Sequence, residues 1–319
     1  MSHHHLTIEE RTCIGLMKEK GETNSRIARI IGVHRSTISR ELKRNTQNSG
    51  KYNPASAARK AKRRRKNCCP RHKLSVDTDL LNTICERLSA YWSPEQIVMT
   101  LDLKLGVSTI YRAINRKIIP RGYTQYLRHK RFHRGWKKGR KRGKNESLPG
   151  IALRPPEVDL RSLAGDWELD TVAMKRSLDW CLVTIVERVT RFFIAVAVPN
   201  KEEPTVTAAI VNALSSLPLS LRRTLTSDRG SEFFGWKTVE QLLPGTKVFF
   251  ADPHKPQQRG TNENTNGLLR QFYPKRTLIS CPSPSELQNS LFLLNTRPRK
   301  CLNWLSPFQI FFPLLLHLT

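Results

Sequence analysis

Gly165-Asp-Trp-Glu-Leu-Asp170-Thr-Val-Ala-Met174, Trp180-Cys-Leu-Val-Thr-Ile-Val-Glu-Arg-Val189 and Phe192-Phe-Ile-Ala-Val-Ala-Val198 follow one another with short breaks. Each run is rich in β-branched and aromatic residues, so Trp167 to Met174, Trp180 to Val189 and Phe192 to Val198 predict three strands joined as a meander. Downstream, the pattern predicts a helix over Glu202 to Leu217, a short strand over Thr224 to Ser227, a helix over Trp236 to Leu243 and a strand over Thr246 to Ala251. A meander that continues by alternating strands with helices makes a mixed α/β sheet.

Three acids stand at particular places on this frame. Asp170 lies inside the first strand, Asp228 follows the fourth in Leu225-Thr-Ser-Asp-Arg-Gly, and Glu263 opens a helix in Arg259-Gly-Thr-Asn-Glu-Asn-Thr-Asn-Gly-Leu-Leu. A carboxylate within an apolar strand is costly unless a cation compensates it. Three converging carboxylates need a counter-charge, and their hard oxygens suit Mg²⁺ or Mn²⁺. Two such ions can activate a water or a 3′-hydroxyl on one side of a phosphodiester and stabilise the leaving oxygen on the other. Taken singly, each acid also has an ordinary reading: Asp228 as a turn residue, Asp170 as a solvent-facing residue of an edge strand, Glu263 as a helix-start acid. Asn266 and Arg270, three and seven residues after Glu263, share its helix face and with Arg259 can hold a DNA strand; Asn262 lies on the same helix, and all four can equally serve as caps and surface charge. Glu232 is near enough to Asp228 to act as an auxiliary acid or to stay solvated, and His254 is a candidate for the rim of the site.

The charge points to the partner. Lys and Arg number 55 against 26 Asp and Glu, a net charge of +29, and the first 150 of the 319 residues hold 35 of those basic side chains and only 11 of the acidic ones. Such an excess excludes a small-molecule enzyme without a polyanionic partner, and nucleic acid is the natural one. The densest runs, Arg59 to Lys66 and Arg128 to Lys144, are expected to stay extended until phosphate neutralises them. The longest apolar run, Phe311 to Leu318, is broken by Pro313 and His317 and falls short of the ~18 residues of a membrane span, so it reads as a terminal packing element and no membrane partner is expected. The seven Cys are odd in number and scattered. Cys68-Cys69 with His72 lacks a fourth ligand, so reduced thiols in a cytosolic chain are expected rather than zinc.

Leu6 to Asn45 carries a trihelical pattern. Thr7 and Glu10 form a capping box, with Ile8, Ile14, Leu16 and Met17 as an apolar stripe of a helix over Thr7 to Lys20 that Gly21 ends. A second helix starts at Ser25, Gly32-Val33 makes the turn, and His34 to Arg44 forms the helix placed to enter a major groove. Ile27, Ala28, Ile31, Val33, Ile38 and Leu42 are its expected core, leaving His34, Arg35, Ser36, Thr37 and Arg40 for DNA. A second, similar pattern runs from Trp92 to Asn115, with Ser93 as N-cap, Pro94 at the first helical position, Tyr111 facing either DNA or the core, and Arg112 for DNA.

Trp167-Glu168-x-Asp170, Ser227-Asp228-Arg-Gly-Ser-Glu232-Phe, Ala251-Asp-Pro-His, Arg259 to Phe272 and Asn295-Thr-Arg-Pro-Arg-Lys-Cys-Leu closely resemble the insertion-sequence-30 family of transposases. The resemblance spans nearly the whole chain and implies an RNase H-like, retroviral-integrase-type catalytic domain. The family's Asp-Asp-Glu triad falls on Asp170, Asp228 and Glu263, with 34 residues between the last two. It implies two Mg²⁺ or Mn²⁺ ions, binding of terminal inverted repeats and target DNA, strand cleavage and strand transfer, a homo-oligomer, and a bacterial cytoplasmic, nucleoid-associated location. The chain departs from the family pattern at Asp166 and at Arg229, where a neutral residue or His and an Asn are usual. Rival readings are a decayed DNA-binding repressor and a Mg²⁺-dependent nuclease that does not join. The expected organisation is a helix-turn-helix domain over 1–66, a second helix-turn-helix segment over 67–120, a basic linker over 121–160 and the catalytic domain over 161–319.

Overall fold

The computed structural model describes residues 5–47, 50–68, 73–128, 148–173, 180–253, 255–275 and 280–316. The chain divides into two compact units, Met1–Val76 and Asp77–Thr319.

In the first unit, α1 (Ile8–Glu19), α2 (Asn24–Ile31) and α3 (Arg35–Asn45) start on Thr7, Thr23 and His34, whose side chains each accept a backbone N–H of the first turn. Gly32 ends α2 in the left-handed conformation, φ 77°, where a Cβ would be strained. Ile14, Ile27, Ala28 and Ile38 form the core with Ile31, Val33, Leu42 and Met17 against it. Two members of the expected stripe do not join it: Ile8 and Leu16 are exposed, because the helix turns only part of its circumference inward. Beneath the core Arg11 Nε donates to Glu41 Oε1 across 2.8 Å, and the Tyr52 hydroxyl donates to the same oxygen across 3.0 Å.

The run from Arg59, expected to be extended, lies instead in α4 (Pro54–Asn67). Asn53 caps the first turn, Pro54 opens it, and Ala, Arg and Lys are strong helix formers. Spaced around a helix, the cations at Lys62 to Arg65 reach water, so local propensity outweighs screened repulsion. The ring of Pro54 sits so close to α1 that a Cβ on Gly15 would lie 2.9 Å from it.

The second unit begins with α5 (Thr78–Ser89), α6 (Pro94–Thr100) and α7 (Val107–Asn115). Ser93 and Gln96 form a capping box before α6. Gln96 Nε2 also donates to the carbonyl of Pro298, and Lys300 pairs with Glu95, so this segment is fastened to the later chain. Tyr111 is exposed rather than core, and Ile110, Ala113 and Ile114 are the buried face of α7. The ends of the expected basic linker are folded: Arg121–Tyr126 forms a 3₁₀ turn, Gly150 bridges to Phe250, and a short α8 (Glu157–Leu160) follows. Residues 129–147 of that linker lie outside the described residues.

The sheet has β1 (Asp166–Ala173), β2 (Cys181–Glu187), β3 (Phe193–Val198), β4 (Thr224–Ser227) and β5 (Lys247–Phe250), with α9 (Glu203–Leu214) and α10 (Trp236–Leu242) between strands. Its order is β3-β2-β1-β4-β5, with β2 antiparallel to both neighbours and β4 parallel to both. This is the RNase H-like arrangement. Side-chain alternation sends Trp167 and Leu169 of β1 into a core with α9 and α10, and Val172 into a second core with α11 (Gly260–Leu269) and α12 (Pro284–Asn295). Glu168 and Asp170 have the parity of Val172 and so face α11. The terminal α13 (Pro307–Leu316) packs as expected, Phe311 stacking on Phe192 with ring centroids 4.3 Å apart. No helix among the described residues is long and apolar enough to cross a membrane.

Candidate active site and DNA interface

Asp170 sits in mid-strand, paired with Thr184 of β2, and Asp228 follows the last residue of β4, the strand beside β1. The two carboxylates share one cation. Arg259 places Nη2 3.3 Å from Asp228 Oδ2 and Nη1 3.8 Å from Asp170 Oδ1, and Nη1 also donates to the Leu169 carbonyl across 3.0 Å. Burial pushes the Asp170 carboxyl above its ordinary range; Arg259 pulls it back and the nearby Asp228 pushes it further up.

Helix α11 is tied to β1 at two points one turn apart. Asn266 Nδ2 donates to Asp170 Oδ2 across 3.0 Å. Asn262 donates its backbone N–H to Glu168 Oε2 at 2.8 Å and its side-chain amide to the Glu168 carbonyl at 3.1 Å. The other oxygen of the buried Glu168 carboxylate pairs with Arg188 at 3.2 Å. Glu263 is exposed on the first turn of α11, about 60° around the helix from Asn266. Thus Asp170 and Asp228 are brought together and Glu263 stands apart from them. Among the described residues no three His, Cys, Asp or Glu side chains are gathered closely enough to hold a metal ion.

Around this pair, Glu232 Oε1 accepts from Thr171 Oγ1 and pairs with Lys201, both at 2.9 Å. Burial alone would push the Glu232 carboxyl up, but Lys201 and Thr171 hold it below its ordinary value. Glu232 is therefore bound to β1 rather than solvated. Asp228 Oδ1 accepts the Gly230 N–H at 3.0 Å, a turn bond that orients its other oxygen. Arg270 fastens to the end of β1, donating to the Ala173 carbonyl at 2.8 Å.

Both departures from the family pattern have structural places. Asp166 is buried, accepts from Thr224 Oγ1 at 2.7 Å and lies 3.8 Å from Arg223, so it is part of the β1–β4 seam. Arg229 directs Nε to the Ala251 carbonyl at 3.4 Å. His254, Cys69 and His72 lie outside the described residues, and Cys68 is exposed.

In the first unit His34, Arg35 and Arg40 are exposed and Ser36 and Thr37 half-buried along the start of α3. His34 Nδ1 accepts the Ser36 N–H, and Arg40 folds back onto the Ser36 carbonyl at 3.1 Å. In the second, Arg112 is exposed on α7 and bonds Ser108 Oγ at 3.3 Å.

The tie that Glu168 and Asn262 make between β1 and α11, and the bridging role of Arg259, are not among the expectations from sequence. The spacing of two between Glu168 and Asp170 and of four between Asn262 and Asn266 carries the signal: each pair occupies one face of its element.

A family model described as a helix-turn-helix domain matches residues 2–45. The transposase for insertion sequence element IS1086 of Cupriavidus metallidurans is 37% identical over 318 residues, covering 95% of this chain and 92% of its own. Transposase InsI for insertion sequence element IS30A of Escherichia coli is 33% identical over 323 residues, covering 96% of this chain and 83% of its own. Among solved structures, the catalytic core domain of BIV integrase covers 47% of this chain and 95% of its own, at 18% identity and a TM-score of 0.36.

Proposed function

The chain belongs to the insertion-sequence-30 family of transposases, and on that premise we propose that it binds the terminal inverted repeats of a mobile element, cuts a strand at the element's end by hydrolysis, and joins the freed 3′-hydroxyl to a target phosphodiester. The observation that carries this reading is the convergence of Asp170 and Asp228 on a single guanidinium beside α11.

The donor set fits divalent cations. Two hard carboxylates, one in β1 and one just after β4, already share one positive charge, and oxygen donors of this kind suit a hard divalent cation. Asp170 and Asp228 would hold two Mg²⁺ or Mn²⁺ ions, and Glu263, which stands apart from them in this structure, would complete the site only on a shift of the start of α11 toward the pair. When bound, such ions activate the attacking oxygen and stabilise the leaving one.

The chain's own residues do the rest. Asn266 orients Asp170, Glu168 holds the helix that carries Glu263, and Arg259 spaces the two aspartates and offers a charge to a DNA phosphate. Helix α3 supplies the groove-reading surface through His34, Arg35, Ser36, Thr37 and Arg40, and Arg112 of α7 a further basic contact. Joining two ends requires more than one copy of the chain in the complex.

Pre-cut terminal-repeat DNA incubated with a target plasmid, the full chain and Mg²⁺ tests this. Joined products are expected. Nicks alone would identify a nuclease, and shifted bands without any chemistry a DNA-binding repressor.

A further inference from the structure

The other side of α11 lines a cavity of about 230 Å³ bounded by Arg161, Arg191, Arg299, Cys301 and the helix's first residues. Asn262 and Asn266 reach β1 on one side of the helix; Gly260, Thr261, Asn264 and Thr265 face the cavity on the other. Three guanidiniums therefore meet with no carboxylate among the lining residues.

The buried Glu168 carboxylate, already paired with Arg188, offsets this concentration of charge only in part. Burial lowers the pKa of Arg161, Arg191 and Arg188 lower it further by like-charge repulsion, and Glu168 pulls it partly back. Burial likewise brings Arg299 down to about 10, with Arg128 and Arg191 adding to it. Arg191 Nη1 donates to Thr261 Oγ1 at 2.8 Å, while its Nε is buried without a hydrogen-bond partner among the described residues. The N-cap residue of α11, Arg259, makes no side-chain cap bond, and the N–H of Asn262 in the first turn is taken by Glu168 from the β1 side. A Cβ built on Gly260 would meet nothing within 4 Å, so the approach to this helix end is open.

We propose that this cavity binds a backbone phosphate of the DNA strand held at the carboxylate pair, with Arg161, Arg191 and Arg299 as its ligands. Guanidiniums around a helix N-terminus match the charge and donor geometry of a phosphate oxygen pair. An α-helix is about 10 Å across, so a strand passing over the start of α11 can reach the carboxylates with one phosphate and the cavity with a neighbour. The proposal rests on the DNA-joining reading above, but its test is separate.

Cys301 lines the cavity and is exposed, which makes it a reporter. The full chain, with and without duplex DNA, is treated with N-ethylmaleimide, and the modification rates of Cys301 and of the exposed Cys281 are read by peptide mass spectrometry. DNA binding is measured in parallel by filter retention. DNA is expected to slow modification of Cys301 several-fold, with little change at Cys281. In Arg161→Gln, DNA should still be retained through the first unit but Cys301 should lose its protection, and Arg161→Lys should restore part of it. The slope of log affinity against log salt should be shallower by about 0.9 in Arg161→Gln, the value of one phosphate contact. DNA retained by the wild-type chain with Cys301 unprotected, or Cys301 protected as fully in Arg161→Gln as in wild type, overturns the cavity assignment. Inorganic phosphate protecting Cys301 as well as DNA does, at equal phosphate concentration, assigns the cavity to free phosphate and overturns it too. Failure to retain DNA at all counts against the functional reading instead.

Discussion

The backbone N–H of Asn262 donates to the carboxylate of Glu168 across 2.8 Å, inside a region where both residues are fully buried. This bond sets the start of α11 against β1, and with it the distance between the helix that carries Glu263 and the strand that carries Asp170. Glu168 also neutralises the buried Arg188. Glu168→Ala is expected to lower unfolding stability by roughly 3–5 kcal/mol, the cost of orphaning a buried charge. Denaturant titration reads this, and an unchanged midpoint would refute the clamp.

Asp170 has the opposite sign. Its carboxyl is raised above the unfolded value of 3.8, chiefly by burial, so the folded state holds the proton more tightly and ionisation costs stability as pH rises through the raised value. Asp170→Asn should therefore melt higher than wild type at neutral pH while losing strand transfer, and the difference should close as pH falls below the unfolded value. A variant that melts lower at neutral pH and the same in acid contradicts the assignment.

Arg259 stands between two carboxylates, and Arg259→Gln leaves them facing each other. In EDTA the variant should melt below wild type, and added Mg²⁺ should raise its Tm by more than it raises that of wild type, since a ligand that binds only the folded state stabilises it. Equal Mg²⁺ responses would count against a cation site at the pair.

Arg35 is exposed at the start of α3. Arg35→Ala should weaken duplex binding and flatten the salt dependence by about 0.9 if it contacts one phosphate, with Tm unchanged. Unaltered affinity would remove it from the interface.

Much of the architecture was legible because local signals agreed with the final packing. Thr7, His34 and Ser93 cap the helices they stand before, Thr224 to Ser227 is a strand with the bounds read from sequence, and the core of the first unit follows the apolar spacing. Helix α4 departs from the expected extended run because its local signals, the Asn53-Pro54 start and the alanines between the cations, outweigh the repulsion of its charges. Helix α12 carries its own local start signal, the capping box of Ser283 and Glu286. The site was legible in its acids but not in their supports. That Arg259 bridges two strands, or that the cavity beyond α11 gathers Arg161, Arg191 and Arg299, depends on residues far apart in the chain meeting through the sheet. No local period encodes that meeting.

The account is tested most directly by comparing wild type, Asp228→Asn and Glu263→Gln in one joining reaction, with end binding followed by gel shift on the same samples. Wild type should yield strand-transfer product, whereas both variants should bind the ends and yield none. Joining by Asp228→Asn at the wild-type level would contradict the assignment of the reaction to this carboxylate pair.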